Sequence, residues 1–249
     1  GGKDNMAKLI TAREAAERMK DCDMSDVSKF HEVNQKMIAK IQKETADIKL
    51  QKISEKDIVN CLDSLIRSNV LEKLDIIVVN DGSKDHTAEV VQKYVERYRD
   101  SIRLVNKKNG GHGSTINTSI KYACGKYYKI LDADDWVNSE NLNRLVAFLE
   151  KTDTDMVLNP YDEIEYNTRT KKRQMNPWDN EVSYEEVHGL EELDKVILYM
   201  HSLTFRREVI QKMGAIIDEN CFYVDMEYCI FPLLYSNHPH VFYKMKPVV

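Results

Sequence analysis

Two short acidic segments hold the residues best able to do chemistry. One is Asp132-Ala133-Asp134-Asp135, three carboxylates in four residues, directly after the apolar run Tyr127 to Leu131. In extended backbone, residues i and i+2 point to the same side. Asp132 and Asp134 are therefore expected to face one hard cation. Mg²⁺ or Mn²⁺ favours carboxylate oxygen and keeps positions for water and phosphate oxygens. Neighbouring carboxylates repel one another, and a bound cation offsets that repulsion. A solvated acidic turn, with Asp135 pointing into a helix start, is the plain alternative. The second segment is Asn80-Asp81-Gly82-Ser83. Gly82 permits tight backbone geometry, and Asp81 can accept hydrogen bonds from the amide edge of a base or from a ribose. An Asx turn leading into a helix is the alternative there.

The elements around these segments imply a parallel sheet. Leu74-Asp75-Ile76-Ile77-Val78-Val79 is a nearly continuous β-branched run, as expected of a strand buried on both faces. A helix follows with Val90, Val91, Tyr94, Val95 and Tyr98 on one face. Ile102 to Val105 reads as a strand, Gly113 to Ala123 as a helix stopped by Gly125, and Tyr127 to Leu131 as a third strand. Ser139 is placed to cap a helix carrying Leu142, Leu145, Val146 and Leu149, and Asp155 to Leu158 is a further strand. Strands alternating with amphipathic helices make βαβ units, whose ligands bind beyond the carboxyl ends of the strands. Both acidic segments fall at such ends. Later, Glu163–Asn167 and Lys171–Met175 flank a polar turn and can pair as a hairpin, and helices are expected at 189–200, 206–213 and 224–235, with Gly214 stopping the middle one.

Composition narrows the function. The 249 residues carry 36 Lys and Arg against 41 Asp and Glu, a net charge of −5, with mean hydropathy −0.53. That balance gives no global attraction to nucleic acid; Lys171-Lys172-Arg173 is a local basic cluster at most. Five widely spaced cysteines form no CxxC and suggest free thiols in a reducing compartment, packed as small buried hydrophobes. No stretch approaches the ~18 apolar residues of a membrane span, and no signal peptide is visible. A cytoplasmic location is expected, with peripheral contact at the inner face of the membrane left open. Residues 1–47 read as a helical attachment. Thr11-Ala12-Arg13-Glu14 forms a capping box, and Val27, Phe30, Met37, Ile38 and Ile41 follow a helical period. These helices are a candidate surface for oligomerisation. Residues 48–249 are expected to form one α/β domain.

Three blocks, taken together, resemble a known family: Asp75 to Thr87 around Asn80-Asp81-Gly82-Ser83, then Asn109-Gly110-Gly111-His112-Gly113, then Lys129 to Trp136 around the acidic loop. Their order and spacing are similar to those of glycosyltransferase family 2, whose fold is GT-A. The resemblance is tightest over 58–145. It implies a nucleotide-sugar donor, usually a UDP-sugar, a divalent cation, and inverting transfer to an acceptor hydroxyl of a glycan or glycolipid. By position it implies that Asp81, with Gly82 and Ser83, meets the donor base. Asp132 and Ala133 lie near the ribose and the metal, and Asp134 is the main metal ligand. Asn109, Gly110 and Gly113 flank the donor phosphates or sugar, and Asn117 faces the same cleft. Asp225, after Phe222-Tyr223-Val224, matches the catalytic base, although Val224 stands where relatives have an acid; an acid favoured by a helix N-terminus is the alternative. His201 falls on the acceptor wall, and Trp136 and Trp178 can stack on sugar or base or simply pack.

The main departure lies upstream. The family opens with an apolar strand ending in Pro-x-Tyr-Asn, and this chain has no such motif. Ile48 and Leu50 alternate, but Lys52 breaks the run. Either a polar strand fills the central position, or the helical segment is joined where the strand belongs. The second case predicts a vacant strand position and a binding or scaffold module on a degenerate domain. A sugar-nucleotide pyrophosphorylase lacks its Gly-rich, Arg-containing loop here, and no GxxxxGK[ST] marks a P-loop enzyme.

Overall fold

The structure, a computed structural model, describes residues 55–165, 167–177, 187–188, 196–221, 223–236 and 240–242. The expected helical pair at 1–47, its capping box, its role in oligomerisation, Trp178 and most of the helix expected at 189–200 lie outside the described residues.

Helix α1 (Glu55–Ile66) has Glu55 and Asp57 in its first turn, where carboxylates suit the positive end of the helix dipole. It buries Ile58, Cys61 and Leu62. A 3₁₀ turn leads to β1 (Ile76–Asn80), then α2 (Thr87–Arg97) and β2 (Ile102–Asn106). β1 and β2 pair in parallel from Ile76 opposite Ile102 to Asn80 opposite Asn106, which is the expected βαβ unit. α3 (Gly111–Tyr122) and β3 (Tyr127–Tyr128) follow, then α4 (Ser139–Leu149) and β4 (Met156–Leu158). A hairpin forms with β6 (Lys171–Met175) where expected, but its first arm, β5 (Tyr161–Ile164), starts and ends earlier than the expected Glu163–Asn167. After β7 (Val187–His188) come a 3₁₀ turn (Met200–Ser202), β8 (Leu203–Arg206), α5 (Arg207–Met213), α6 (Val224–Ile230), a second 3₁₀ turn (Phe231–Tyr235) and β9 (His240–Phe242).

Among the described residues the strands form separate sheets: β1-β2, β3-β8-β4-β9-β7, and the hairpin. The five-stranded sheet is mixed, because β4 and β9 run parallel while β8 runs antiparallel to both β3 and β4. Its core holds Tyr128, Met156, Phe205, Ile210, Tyr228 and Phe231; the Phe205 and Tyr228 rings meet edge-on, centroids 5.5 Å apart. Burying a large apolar side chain stabilises by about 1.5–3 kcal/mol, so this cluster anchors the domain. A second cluster packs α4 on Val157, and a third packs α1 and α2 on Ile102.

Several expectations need correction. Asn138, not Ser139, caps α4: its side chain accepts from the Asn141 N–H, while the Ser139 hydroxyl donates to the Ser64 carbonyl. Gly125 is not a left-handed stop, since α3 ends at Tyr122 with Ala123 already extended. The strand expected over Tyr127–Leu131 pairs only at Tyr127 and Tyr128. Residues 197–199 are not helical, so the helix expected at 189–200 does not reach its expected end. The 224–235 helix tightens to 3₁₀ from Phe231, beside Pro232, whose ring and missing N–H break the α ladder. Cys124 is exposed and donates to Asp75, unlike the buried Cys61 and Cys229. Lys171, Lys172 and Arg173 pair with Asp162 and Glu163, so the hairpin presents no unneutralised basic patch. No helix among the described residues is long and apolar enough to cross a membrane.

Candidate active site

Asp81, just after β1, and Asp132 and Asp134, after the Tyr127–Leu131 segment, border one cavity. There the acidic loop is not extended. The Asp135 N–H donates to the Asp132 carbonyl at 3.1 Å, closing a turn. The i, i+2 argument therefore fails for Asp132 and Asp134. The turn instead brings Asp132 and Asp135 toward His201, and one ligand atom from each lies within 4.8 Å of the others. Asp134 is not part of that trio. His201 Nδ1 is 3.4 Å from Asp135, and His112 Nε2 is 3.5 Å from Asp132.

Electrostatics mark this loop as a site where charge is held against its preference. Burial pushes the Asp135 carboxyl well above the usual carboxylate range, and repulsion from Asp132 and Asp134 opposes the pull of His201. Burial raises Asp134 too, with Asp132 adding repulsion. Two carboxylates and an imidazole at this separation fit a divalent cation, whose charge would relieve that repulsion.

His201 is positioned by Lys129. The Lys129 Nζ donates to the carbonyls of His201, at 2.7 Å, and Leu203, at 3.3 Å, tying the 3₁₀ turn to the segment before the acidic loop. The stem of Lys129 borders a cavity, but its ammonium lies deep among protein atoms, and burial pushes its pKa down to about 7. In the sequence Asp135 belongs to the acidic block but reads only as pointing into a helix start, and Lys129 is given no role. The signal for Lys129 is only its place three residues before that block.

Asp81 is already occupied by the protein. Its carboxylate accepts from the N–H groups of Gly110 (3.0 Å) and Gly111 (2.8 Å) and from Lys107 Nζ (2.6 Å). It thus caps α3 from a different strand, satisfying N–H groups that a helix start leaves without partners. Asn109 Nδ2 returns a bond to the Asp81 carbonyl at 3.0 Å. Asn80 accepts from both the Ser83 N–H and its hydroxyl, forming the Asx turn. Gly82 takes φ 71° where a Cβ would meet the Asn109 nitrogen at 3.0 Å. The base-facing segment and the glycine loop are one hydrogen-bonded unit. Ala133 packs toward the α1–α2 cluster.

Gly113 and Asn117 also turn out to be packing residues. A Cβ at Gly113 would lie 1.9 Å from the Asp218 carbonyl oxygen. Asn117 does not face the cleft: it accepts from the Ile217 N–H and donates to the Ile217 carbonyl and Glu219. Both residues clamp the 217–219 segment that leads toward α6. Asp225 sits in the first turn of α6, after Tyr223 in left-handed conformation (φ 65°). Burial pushes Asp225 above the usual carboxylate range, against the pull of His112 and His201. The same two imidazoles that face the acidic loop therefore act on Asp225. Trp136 is covered by the Arg169 guanidinium, 5.0 Å from its ring, and packs there.

An α/β sheet with acidic loops gathered at one carboxyl edge is the architecture of nucleotide-sugar transferases. The family model described as "Glycosyl transferase family 2" matches residues 35–214, more than half of the chain, and the chain belongs to that family. It is 31% identical over 171 residues to the uncharacterized glycosyltransferase EpsJ of Bacillus subtilis, covering 66% of this chain and 48% of EpsJ. It is 31% identical over 106 residues to the poly(ribitol-phosphate) beta-N-acetylglucosaminyltransferase TarS of Staphylococcus aureus, covering 42% of this chain and 18% of TarS. The chain thus matches less than half the length of these relatives. The crystal structure of S. aureus TarS 1–349 in complex with UDP-GlcNAc superposes with a TM-score of 0.63 at 20% identity, over 78% of this chain and 54% of that one. The fold is GT-A.

Proposed function

We propose that this glycosyltransferase moves a sugar from a UDP-sugar to an acceptor hydroxyl of a cell-surface polysaccharide or glycolipid, with inversion. The observation that carries the reading is the convergence of Asp132, Asp135, His201 and His112 with Asp225 at one sheet edge. The names of the relatives, TarS among them, and the UDP-GlcNAc complex of TarS support the donor and acceptor class.

Asp132, Asp135 and His201 would hold the cation, and the mixed oxygen and nitrogen set favours Mn²⁺ over Mg²⁺. When bound, the cation supplies charge neutralisation for the departing diphosphate. Asp225 accepts the acceptor hydroxyl proton as that oxygen attacks the anomeric carbon. Its raised affinity for a proton suits a general base. Asp81 and the Asn109–Gly113 loop form the donor-side wall as one unit. No protein nucleophile is required for a single displacement, so the cysteines have no role.

Calorimetry of UDP binding with Mn²⁺ and with chelator, followed by sugar release from a panel of UDP-sugars, tests this. Binding should need the cation and fail in Asp132→Ala. Asp225→Asn should retain binding and lose turnover. Cation-independent binding would refute the site. Among the described residues β1 and β3 belong to separate sheets, which favours a second reading, a binding module on the same fold. Its signature would be UDP affinity with no sugar released from any donor.

A further inference from the structure

Asp225 is the second residue of α6, so the chain that enters this helix decides where its carboxylate lies. That chain is held in an unusual conformation. Asn220 and Tyr223 both take left-handed backbone angles, φ 57° and 65°. Residues with side chains rarely adopt this region, and a tyrosine keeps it only where surrounding contacts over-determine the backbone. Tyr223 occupies the N-cap position without a side-chain hydrogen bond to the helix, so capping does not make the bend.

The contacts that hold the bend come from α3 and the glycine loop before it. Asn117, on α3 and 4% exposed, accepts from the Ile217 N–H at 3.1 Å. It donates to the Ile217 carbonyl at 2.7 Å and to Glu219 at 3.2 Å. The Asn220 N–H donates to the Gly110 carbonyl at 2.8 Å. The bare backbone of Gly113 leaves room for the Asp218 carbonyl. From the other side Glu227, buried in the first turn of α6, accepts from the Asp218 N–H at 2.8 Å. The 217–220 segment is thus bonded to α3 and the glycine loop on one side and to α6 on the other. His112, in the first turn of α3, lies close enough to act on Asp225 electrostatically.

The two ends of this run serve different parts of the proposed reaction. Asp81 holds the Gly110 and Gly111 N–H groups, and Asn117 takes no part in those bonds. The donor wall therefore keeps its own support. Val224 and Tyr228 pack α6 into the core, which holds the body of the helix. Its entry is fixed by the 217–220 segment, and that segment is fixed by Asn117.

We propose that Asn117 is a positioning residue for the base: it fastens the 217–220 segment to α3, so that Asp225 meets the acceptor hydroxyl beside the donor sugar. The inference rests on the proposed role of Asp225. Misplacing a reacting group by about 1 Å costs on the order of a hundredfold in rate, even when the mutation is far from the chemistry.

Asn117→Ala and Asn220→Pro in the full chain test it. The first removes the clamp. The second, at an exposed residue, removes the N–H that Gly110 receives and forbids φ 57°, so it carries the test where the buried substitution fails to fold. In residue-resolved amide exchange, the Asp218 and Met226 amides should exchange at least about tenfold faster in either variant, while Gly110 and Gly111 stay within about twofold of the parent chain. With a UDP-sugar as donor, kcat should fall at least about tenfold while UDP affinity stays within about twofold. Exchange that quickens equally at Gly110 and Gly111 would mean that Asn117 supports the core at large, and overturns the proposal. So does UDP affinity that falls as far as kcat. A parent chain that transfers no sugar from any donor refutes the base and this assignment with it, whereas a parent that transfers as well as its Asn117→Ala variant refutes the assignment alone.

Discussion

Replacing Asp81 by Ala separates two roles for this carboxylate, contact with a base and capping of α3. The side chain is 18% exposed, as is nearly the case for Lys107 at 19%. Its removal leaves the N–H groups of Gly110 and Gly111 and the Lys107 ammonium without their acceptor. An unmet buried donor costs about 1–3 kcal/mol, so two N–H groups and a partly screened ion pair give roughly 3 kcal/mol. For a domain of this size about 2–4 °C of Tm accompanies each kcal/mol, so Asp81→Ala should melt about 6–12 °C lower. Asp81→Asn keeps one acceptor oxygen and should lose roughly a third of that. Differential scanning calorimetry reads the stability, and UDP titration with Mn²⁺ reads the site. If capping is the role, Tm and UDP affinity fall together. An Asp81→Ala protein that melts like the parent chain, within about 1 °C, yet binds UDP more weakly would refute the capping argument and restore a direct base contact.

Other expectations follow from the same geometry. Sugar transfer should fall with decreasing pH as Asp225 takes up a proton, and because burial disfavours its ionised form this loss should begin above the range of an ordinary carboxylate; a pH–rate profile with its acid limb in the ordinary range would argue against Asp225 as base. His201→Ala should weaken Mn²⁺ binding by at least roughly tenfold, followed by electron paramagnetic resonance titration, since even partners behind a ligand contribute that much; unchanged affinity would dissolve the Asp132–Asp135–His201 trio. Gly113→Ala should destabilise by about 3 kcal/mol in urea unfolding, because its new methyl overlaps the Asp218 carbonyl oxygen and backbone must move; a neutral substitution would mean that the 217–219 segment is not clamped there.

Much of the fold was legible because it is local. The β-branched run of β1, the amphipathic α2 and the acid-rich turns after strands depend on residue order alone, and β1, α2 and β2 formed where periodicity put them. Asp225 was reached through a helix-start position and the family pattern. Asp132 was expected at the cation and belongs to the trio whose atoms could hold one, whereas the extended backbone assumed for Asp132 and Asp134 gives way to the 132–135 turn, which brings Asp135 toward His201; the preference for Asp134 also came from the family resemblance. The family resemblance put Gly113, in the glycine loop, and Asn117, on the helix after it, at the donor cleft, yet their partners at 217–219 lie far along the chain.

By itself, the sequence determined the class of the protein. Hydrophobic period, turn chemistry and three motif blocks are properties of neighbours in the chain, and they suffice to specify βαβ units and their family. Which carboxylates share an imidazole, what Asp81 holds, and what Asn117 clamps were decided only in three dimensions. Those features join residues whose separation along the chain carries no record of distance, and hydrogen bonds and packing, not residue type, settle which of the possible neighbours meet.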